Sequence, residues 1–197
     1  MLAKLIMLVS EMFYNNKKLL IIFLLFFLSK ANASYNEKIV FNLEKIDNLT
    51  FDFQQQINGK EEKGNCILEY PKKIFCKYNK ANKKILVSNG KSLVIKTNNQ
   101  AGYYRYPLDK TPLNLILDKE FLISKIKNLN ARVIDENYIN YTILENDNEI
   151  NIFFDKKNLN LIGWQTLDIY QNLNVTFISN LKKNQNINQK IFDLPNP

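Results

Sequence analysis

Hydrophobic positions along this chain follow three different periods, and each predicts a different element. Leu19 to Leu28 (LLIIFLLFFL) is a continuous apolar run behind the pair Lys17-Lys18. From Ser34 to Asn48, Ile39, Val40, Leu43 and Ile46 recur at helical spacing with charges on the other side, which predicts an amphipathic helix. The period then drops to two. Leu49, Phe51 and Phe53 alternate with Thr50, Asp52 and Gln54 up to a turn at Asn58-Gly59. Strands follow over Asn65–Tyr70 and Ile74–Tyr78 around Pro71-Lys72-Lys73, over Lys84–Ser88 and Lys91–Lys96 around Asn89-Gly90, and over Tyr103–Tyr106.

At Thr111 the alternation breaks. Thr111 suits an N-cap and Pro112 a first helical position, and Leu113, Ile116, Leu117 and Phe121 recur at helical spacing, with Leu122 and Ile126 extending that surface toward Lys127. Strands resume over Ala131–Asp135, Tyr138–Leu144, Glu149–Phe154, Leu159–Ile169 and Val175–Ser179. About ten or eleven antiparallel strands in a meander with two helical interruptions predict a mainly β fold, a strongly curved sheet or partial barrel with capping helices. One face of most strands is apolar, and the helices must cover it. A closed core and a ligand cavity both satisfy this pattern, because periodicity does not register empty space.

The apolar run near the start bears on compartment. A basic pair, ten apolar residues and the small-x-small triplet Ala31-Asn32-Ala33 make an export signal with cleavage after Ala33. Ten helical residues rise about 15 Å, short of the ~20 residues a bilayer core requires. Met12 gives a leader of more ordinary length than Met1. The leader holds Lys4, Lys17, Lys18, Lys30 and Glu11, so the remaining 164 residues carry +5 rather than +8. Those residues suffice for one domain. Their lysines are scattered among Asn and Ile, and Arg105 and Arg132 are the only arginines, so nucleic acid is not the expected partner.

Candidate chemistry is sparse. The chain has no histidine, which removes His-based acid–base catalysis, His-dependent triads and most catalytic zinc sites. Its five glycines form no phosphate loop and no nucleophile elbow. Glu61-Glu62 and Asp147/Glu149 fall in stretches that read as solvated turns. No enzyme, cofactor or metal site is expected. Cys66 and Cys76 flank Pro71-Lys72-Lys73 almost symmetrically, so in a hairpin they fall opposite or nearly opposite each other. In an oxidising compartment such a pair forms a disulfide; the alternative is two small buried apolar side chains.

Several segments, in order, resemble a known family. They are Phe53-x-Gln55 after an amphipathic helix, Tyr70-Pro71 followed by Ile74-Phe75, and Lys84-Ile85-Leu86-Val87-Ser88-Asn89-Gly90-Lys91-Ser92-Leu93. Thr111-Pro112 opening a Leu-rich helix, an Asp155-centred turn and Phe192-x-Leu194-Pro195 complete the series. Together these resemble the periplasmic outer-membrane lipoprotein carriers of the LolA family, from about Ile39 to Pro195. The resemblance implies an open half-barrel with a helical lid that takes acylated lipoproteins from an inner-membrane lipoprotein-releasing ABC transporter and shields their acyl chains. Whether a separate outer-membrane acceptor is a further partner stays open from the sequence, and a monomer is expected. Each buried methylene is worth roughly 0.8 kcal/mol, so a tri-acylated protein needs an escort through water.

On that reading the sheet candidates for a lipid groove are Leu49, Phe51, Phe53, Leu68, Ile74, Ile85, Val87, Leu93, Ile95, Ile143, Ile152, Phe154, Trp164, Val175 and Phe177. Leu113, Ile116, Leu117 and Phe121 form the lid. The family's lid-latching arginine usually precedes the hairpin proline, where this chain has Tyr70, and an aromatic often found a few residues on is replaced by Cys76. A Cys66–Cys76 bridge would stiffen what the arginine holds elsewhere. The alternative function is a lipid-sensing regulatory module on the same half-barrel.

Overall fold

The computed structural model describes residues 34–79, 83–97, 102–146, 148–167 and 171–195. The export signal, with cleavage after Ala33, lies outside the described residues. The chain opens with helix α1 (Tyr35–Glu44), whose N-cap Ser34 and Glu37 form a reciprocal capping box. Strands β1 (Asn48–Ile57) and β2 (Lys60–Glu69) meet at Asn58-Gly59, both at positive φ (50° and 71°), the conformation an Asn-Gly hairpin turn requires. β3 (Lys73–Tyr78), β4 (Ile85–Asn89), β5 (Ser92–Lys96) and β6 (Tyr103–Pro107) continue by hairpin pairing. At the β4–β5 turn, Asn89 Oδ1 accepts from the Lys91 and Ser92 backbone N–H groups, each at 3.0 Å.

The Leu-rich stretch is not one helix. It forms α2 (Leu113–Ile116) and α3 (Lys119–Asn128). Asp118 separates them: it is extended, and its carboxylate accepts from Phe121 N at 3.1 Å as the N-cap of α3. Glu61 and Glu62, expected in a turn, are strand residues of β2, and Glu149 lies in β9 (Asn148–Asp155). The hydrophobic pattern extended β2 too little because its first half, Lys60 to Asn65, is polar.

β7 (Arg132–Ile134), β8 (Tyr138–Glu145), β9, β10 (Leu161–Leu167) and β11 (Leu173–Lys183) complete one open antiparallel sheet of eleven strands in the order β6-β5-β4-β3-β2-β1-β11-β10-β9-β8-β7. The connectivity departs from a simple meander. The chain runs outward from β1 to the β6 edge, crosses through α2 and α3 to the opposite β7 edge, and winds back until β11 pairs with β1. All the helical residues of this crossover therefore serve one face of the sheet. The sheet is curved and unclosed, with β6 and β7 as its edges.

Over the β8–β10 half, α1 and α3 close the concave face into a buried core. Ile39 and Leu43 of α1 and Leu122 and Ile126 of α3 pack with Ile139, Tyr141, Ile150, Ile152 and Phe154, none more than 3% exposed. Asn36 fixes the geometry: its Nδ2 donates to the Ile126 and Leu129 carbonyls, both at 2.7 Å, and its Oδ1 accepts from the Tyr141 hydroxyl at 2.9 Å. The three bonds tie α1 to the C-terminal end of α3 and to β8.

Candidate functional site

The other half of the concave face is not filled. Between β1–β6, β10, β11 and the short helix α2 lies a cavity of about 310 Å³. Paired residues on neighbouring antiparallel strands share a face. The register therefore fixes its walls: Phe51, Phe53, Gln55 and Ile57 from β1, Cys66 from β2, Ile74, Cys76 and Tyr78 from β3, and Lys84 and Leu86 at β4. Leu93, Ile95 and Tyr106 continue the wall on one side, and Trp164, Thr166, Leu167, Asn174 and Thr176 close it on the other. Thr111, Pro112, Leu113 and Ile116 lie across it.

The apolar part is built from edge-on aromatic contacts. Phe51 and Trp164 meet with ring centroids 6.4 Å apart. Phe53 and Tyr78 stand 4.9 Å apart at 74° across the intervening strand β2. The residue between them in register is Gly64, where a Cβ would lie 2.7 Å from Phe53 Cε1. A Cβ there would lie closer still to the Lys77 backbone carbonyl, so any larger residue would have to displace β3 as well as the Phe53 ring. Cys66 and Cys76 are directly opposite in register, with Cα atoms 4.1 Å apart, and are joined as a disulfide in the wall.

One end of the cavity is polar. Gln55 Nε2 donates to Asn174 Oδ1 at 2.8 Å, the Tyr78 hydroxyl donates to Gln55 Oε1 at 3.4 Å, and Thr176 Oγ1 donates to Asn174 Oδ1 at 3.5 Å. Lys84, the one charged residue lining the cavity among the described residues, has its ammonium 2.6 Å from Glu62 Oε2 and 4.0 Å from the Tyr78 ring centroid. Burial, with the Glu62 carboxylate adding to it, pushes the Tyr78 phenol above its ordinary range. The phenol stays a neutral donor.

The sequence candidates sort into three groups. Phe51, Phe53, Ile74, Leu93, Ile95 and Trp164 line the cavity, together with Leu113 and Ile116 from α2. Leu49, Leu68, Ile143, Ile152 and Phe154 also belong to the concave face, but in the closed core, each at most 1% exposed. Ile85, Val87, Val175 and Phe177 are on the opposite face. For β4 the reason is an unbroken apolar run, Ile85-Leu86-Val87, which has no readable alternation: Leu86 points inward, while Val87 pairs with Phe75 and Val94 on the outer face. For β11 the register decides. Thr176 pairs with Gln55 and Trp164, which puts Thr176 and Asn174 inside and leaves Phe177 opposite Gly163 and 59% exposed.

Leu117 is fully buried at the break between α2 and α3, and Phe121 of α3 is half-buried against the core. Tyr70 is also half-buried there, with the Lys119 ammonium 5.9 Å from its ring; its hydroxyl makes no hydrogen bond to another described residue. The hairpin is tied to the helices by a residue that the hydrophobic pattern passed over. Lys72 N donates to the Leu117 carbonyl at 2.9 Å, the Lys72 ammonium lies 3.1 Å from Asp118 Oδ2, and Ser88 Oγ donates to the Lys72 carbonyl at 2.9 Å. Of the polar cavity residues also missed, Gln55 was legible as a continuation of the β1 alternation. Asn174 and Thr176 carried no such signal.

The described residues thus form an open antiparallel half-barrel with an apolar cavity under a short helix. The chain belongs to the LolA family: the model of the outer membrane lipoprotein carrier protein LolA matches residues 44–195. No curated protein sequence matches the chain. Among solved structures it is similar to an uncharacterized conserved protein from Thermus thermophilus (9% identity, TM-score 0.50, 82% of this chain and 95% of that one). It is also similar to a LolA superfamily protein from Nitrosomonas europaea (10%, 0.44, 82% and 99%) and to the MucA/MucB complex structure of Pseudomonas aeruginosa (10%, 0.46, 83% and 62%). Among the described residues no helix is long and apolar enough to cross a membrane, and no group of metal-ligating side chains is gathered in one place.

Proposed function

We propose that this protein is a periplasmic carrier that holds the acyl chains of lipoproteins in the cavity under α2 and moves them from the inner toward the outer membrane. The observation that supports it is the asymmetry of the concave face: α1 and α3 fill one half completely, while the other half keeps about 310 Å³ bounded mainly by aromatic and aliphatic side chains. A packed domain interior rarely holds a void larger than a water molecule. A methylene is comparable in size to a water, whose share of liquid volume is about 30 Å³, so the cavity at rest takes roughly ten methylenes, one acyl chain in part. Further chains require α2 to swing outward as a lid, which four residues capped by their own short connections make feasible. Export with removal of residues 1–33 brings the chain to that cargo, delivered by an inner-membrane ABC transporter.

The test is to produce the chain with its own leader, purify it from the periplasm and identify bound acylated peptides by mass spectrometry. A synthetic N-acylated lipopeptide should bind the purified protein, and the same peptide without acyl chains should not. Equal binding of both, with no acylated species co-purifying, overturns the carrier reading.

A further inference from the structure

We infer that the polar end of the cavity selects an uncharged ester- or amide-type head on the acyl chain and discriminates against a free carboxylate. The inference rests on the acyl-binding reading above and names which amphiphiles that site admits. Two observations carry it. The first is charge: among the described residues the cavity's lining contains one ionic group, the Lys84 ammonium, and it is already paired with Glu62 at 2.6 Å. Both side chains are only 19% exposed. Glu62 stands opposite Gln55 in register and so on the same face of the sheet, at the cavity end. A carboxylate arriving at this end meets the Glu62 carboxylate and finds the Lys84 ammonium already compensated. Like charges at close range in a partly desolvated site are unfavourable.

The second is the neutral hydrogen-bonding set beside that pair. Gln55, Asn174 and Tyr78 form a connected chain of amides and a phenol at 2.8 and 3.4 Å. An amide side chain carries two donors and two acceptor lone pairs, so Gln55 and Asn174 retain capacity after bonding each other. Burial keeps the Tyr78 hydroxyl protonated. Such groups match the carbonyl and hydroxyl oxygens of a glycerol ester, which needs donors without charge. Gln55 sits two residues beyond Phe53 on the inward row of β1, so a chain lying along Phe51 and Phe53 delivers its head to the amides.

The experiment compares 1-lauroyl-glycerol with laurate at pH 7.5 below their micellar concentrations, binding the mature protein, residues 34–197, with Trp164 fluorescence as the readout. The ester should bind at least about fivefold more tightly, the size expected of one well-placed neutral hydrogen bond. Glu62→Gln, which uncovers the Lys84 charge, should raise laurate affinity and leave the ester within about twofold; Lys84→Met made on Glu62→Gln should remove that gain. Laurate binding as tightly as the ester in the unaltered protein, or an unchanged ratio in folded Glu62→Gln, overturns the inference while leaving acyl binding intact. Binding of neither probe, with lipopeptide also unbound, counts against the carrier reading itself. Far-UV circular dichroism checks the fold of each variant; should Glu62→Gln not fold, Gln55→Leu replaces it and must weaken the ester more than laurate.

Discussion

Lys72 and Asp118 form an ion pair at 3.1 Å that joins the β2–β3 turn to the break between α2 and α3. Both side chains are about one-third exposed, so the Coulombic part is small, of the order found for surface pairs, about 0–1 kcal/mol. Asp118 has a second role, because its carboxylate also caps α3 through Phe121 N. The two residues are therefore not equivalent. Lys72→Met should lower stability by at most about 1 kcal/mol, whereas Asp118→Ala should cost about 1–2 kcal/mol through the lost cap. Urea unfolding of both singles and the double variant measures this; equal losses for the two singles would refute the capping role.

The cavity and the closed core predict opposite results for the same substitution. Ile95 is partly exposed on the cavity wall, and a carboxylate there stays hydrated, so Ile95→Glu should fold with Tm within a few degrees and lose acyl-probe binding. Phe154 is 1% exposed, edge-on to Tyr141 with centroids 6.0 Å apart under α1 and α3. Phe154→Glu should cost several kcal/mol and unfold a domain of ordinary stability. Thermal unfolding paired with probe titration decides it. Two equally destabilised variants would mean the cavity is closed core.

Cys66 and Cys76 close a loop of eleven residues, counting both ends, for which the chain-entropy relation gives about 2–3 kcal/mol. Residues 34–197 produced in an oxidising compartment and denatured without reductant should show no free thiol on titration. The double Cys→Ser variant should lose stability of that order and keep its fold, because Leu68, Phe51 and Ile74 hold the same strands together.

Alkaline pH should act through tyrosines. Burial pushes the Tyr141 phenol up to about 12, and it raises Tyr70 and Tyr78 in the same direction. A folded pKa above the unfolded value of about 10 means the unfolded chain loses its proton first. The stabilisation is complete below pH 10 and disappears as pH climbs from 10 to about 12. No histidine is present, and no side chain ordinarily titrates between pH 5 and 8 without one. Urea midpoints should be flat from pH 6 to about 9 and fall steeply above pH 10, with Tyr141→Phe shallower than the parent. A stability transition near pH 6.5 would contradict this.

Local chemistry along the chain was enough to place the elements. Period-two alternation located most strands from Leu49 onward, apart from the polar first half of β2 and the unbroken apolar run of β4. Asn58-Gly59 and Asn89-Gly90 located two hairpins, and the spacing of Cys66 and Cys76 about a Pro-Lys-Lys turn set them opposite each other. Long-range pairing, by contrast, chose which face each strand buried and where the concave side stayed open. Ile85 and Val87 are as hydrophobic as Leu86, so only the pairing of Val87 with Phe75 and Val94 shows that Leu86 faces inward. Phe177 is the larger apolar residue of β11, yet the pairing of Thr176 with Gln55 and Trp164 turns it outward. A bulge in β11, which advances from Lys182 to Ser179 while β1 advances only from Thr50 to Asp52, and another in β10 between Leu161 and Gly163 shift parity in ways no alternating pattern encodes. The cavity has the same origin. It exists because the β6–β7 crossover lays α3 over β8–β10 and only the four-residue α2 over the rest, and Asp118 makes that division by ending one helix and capping the next.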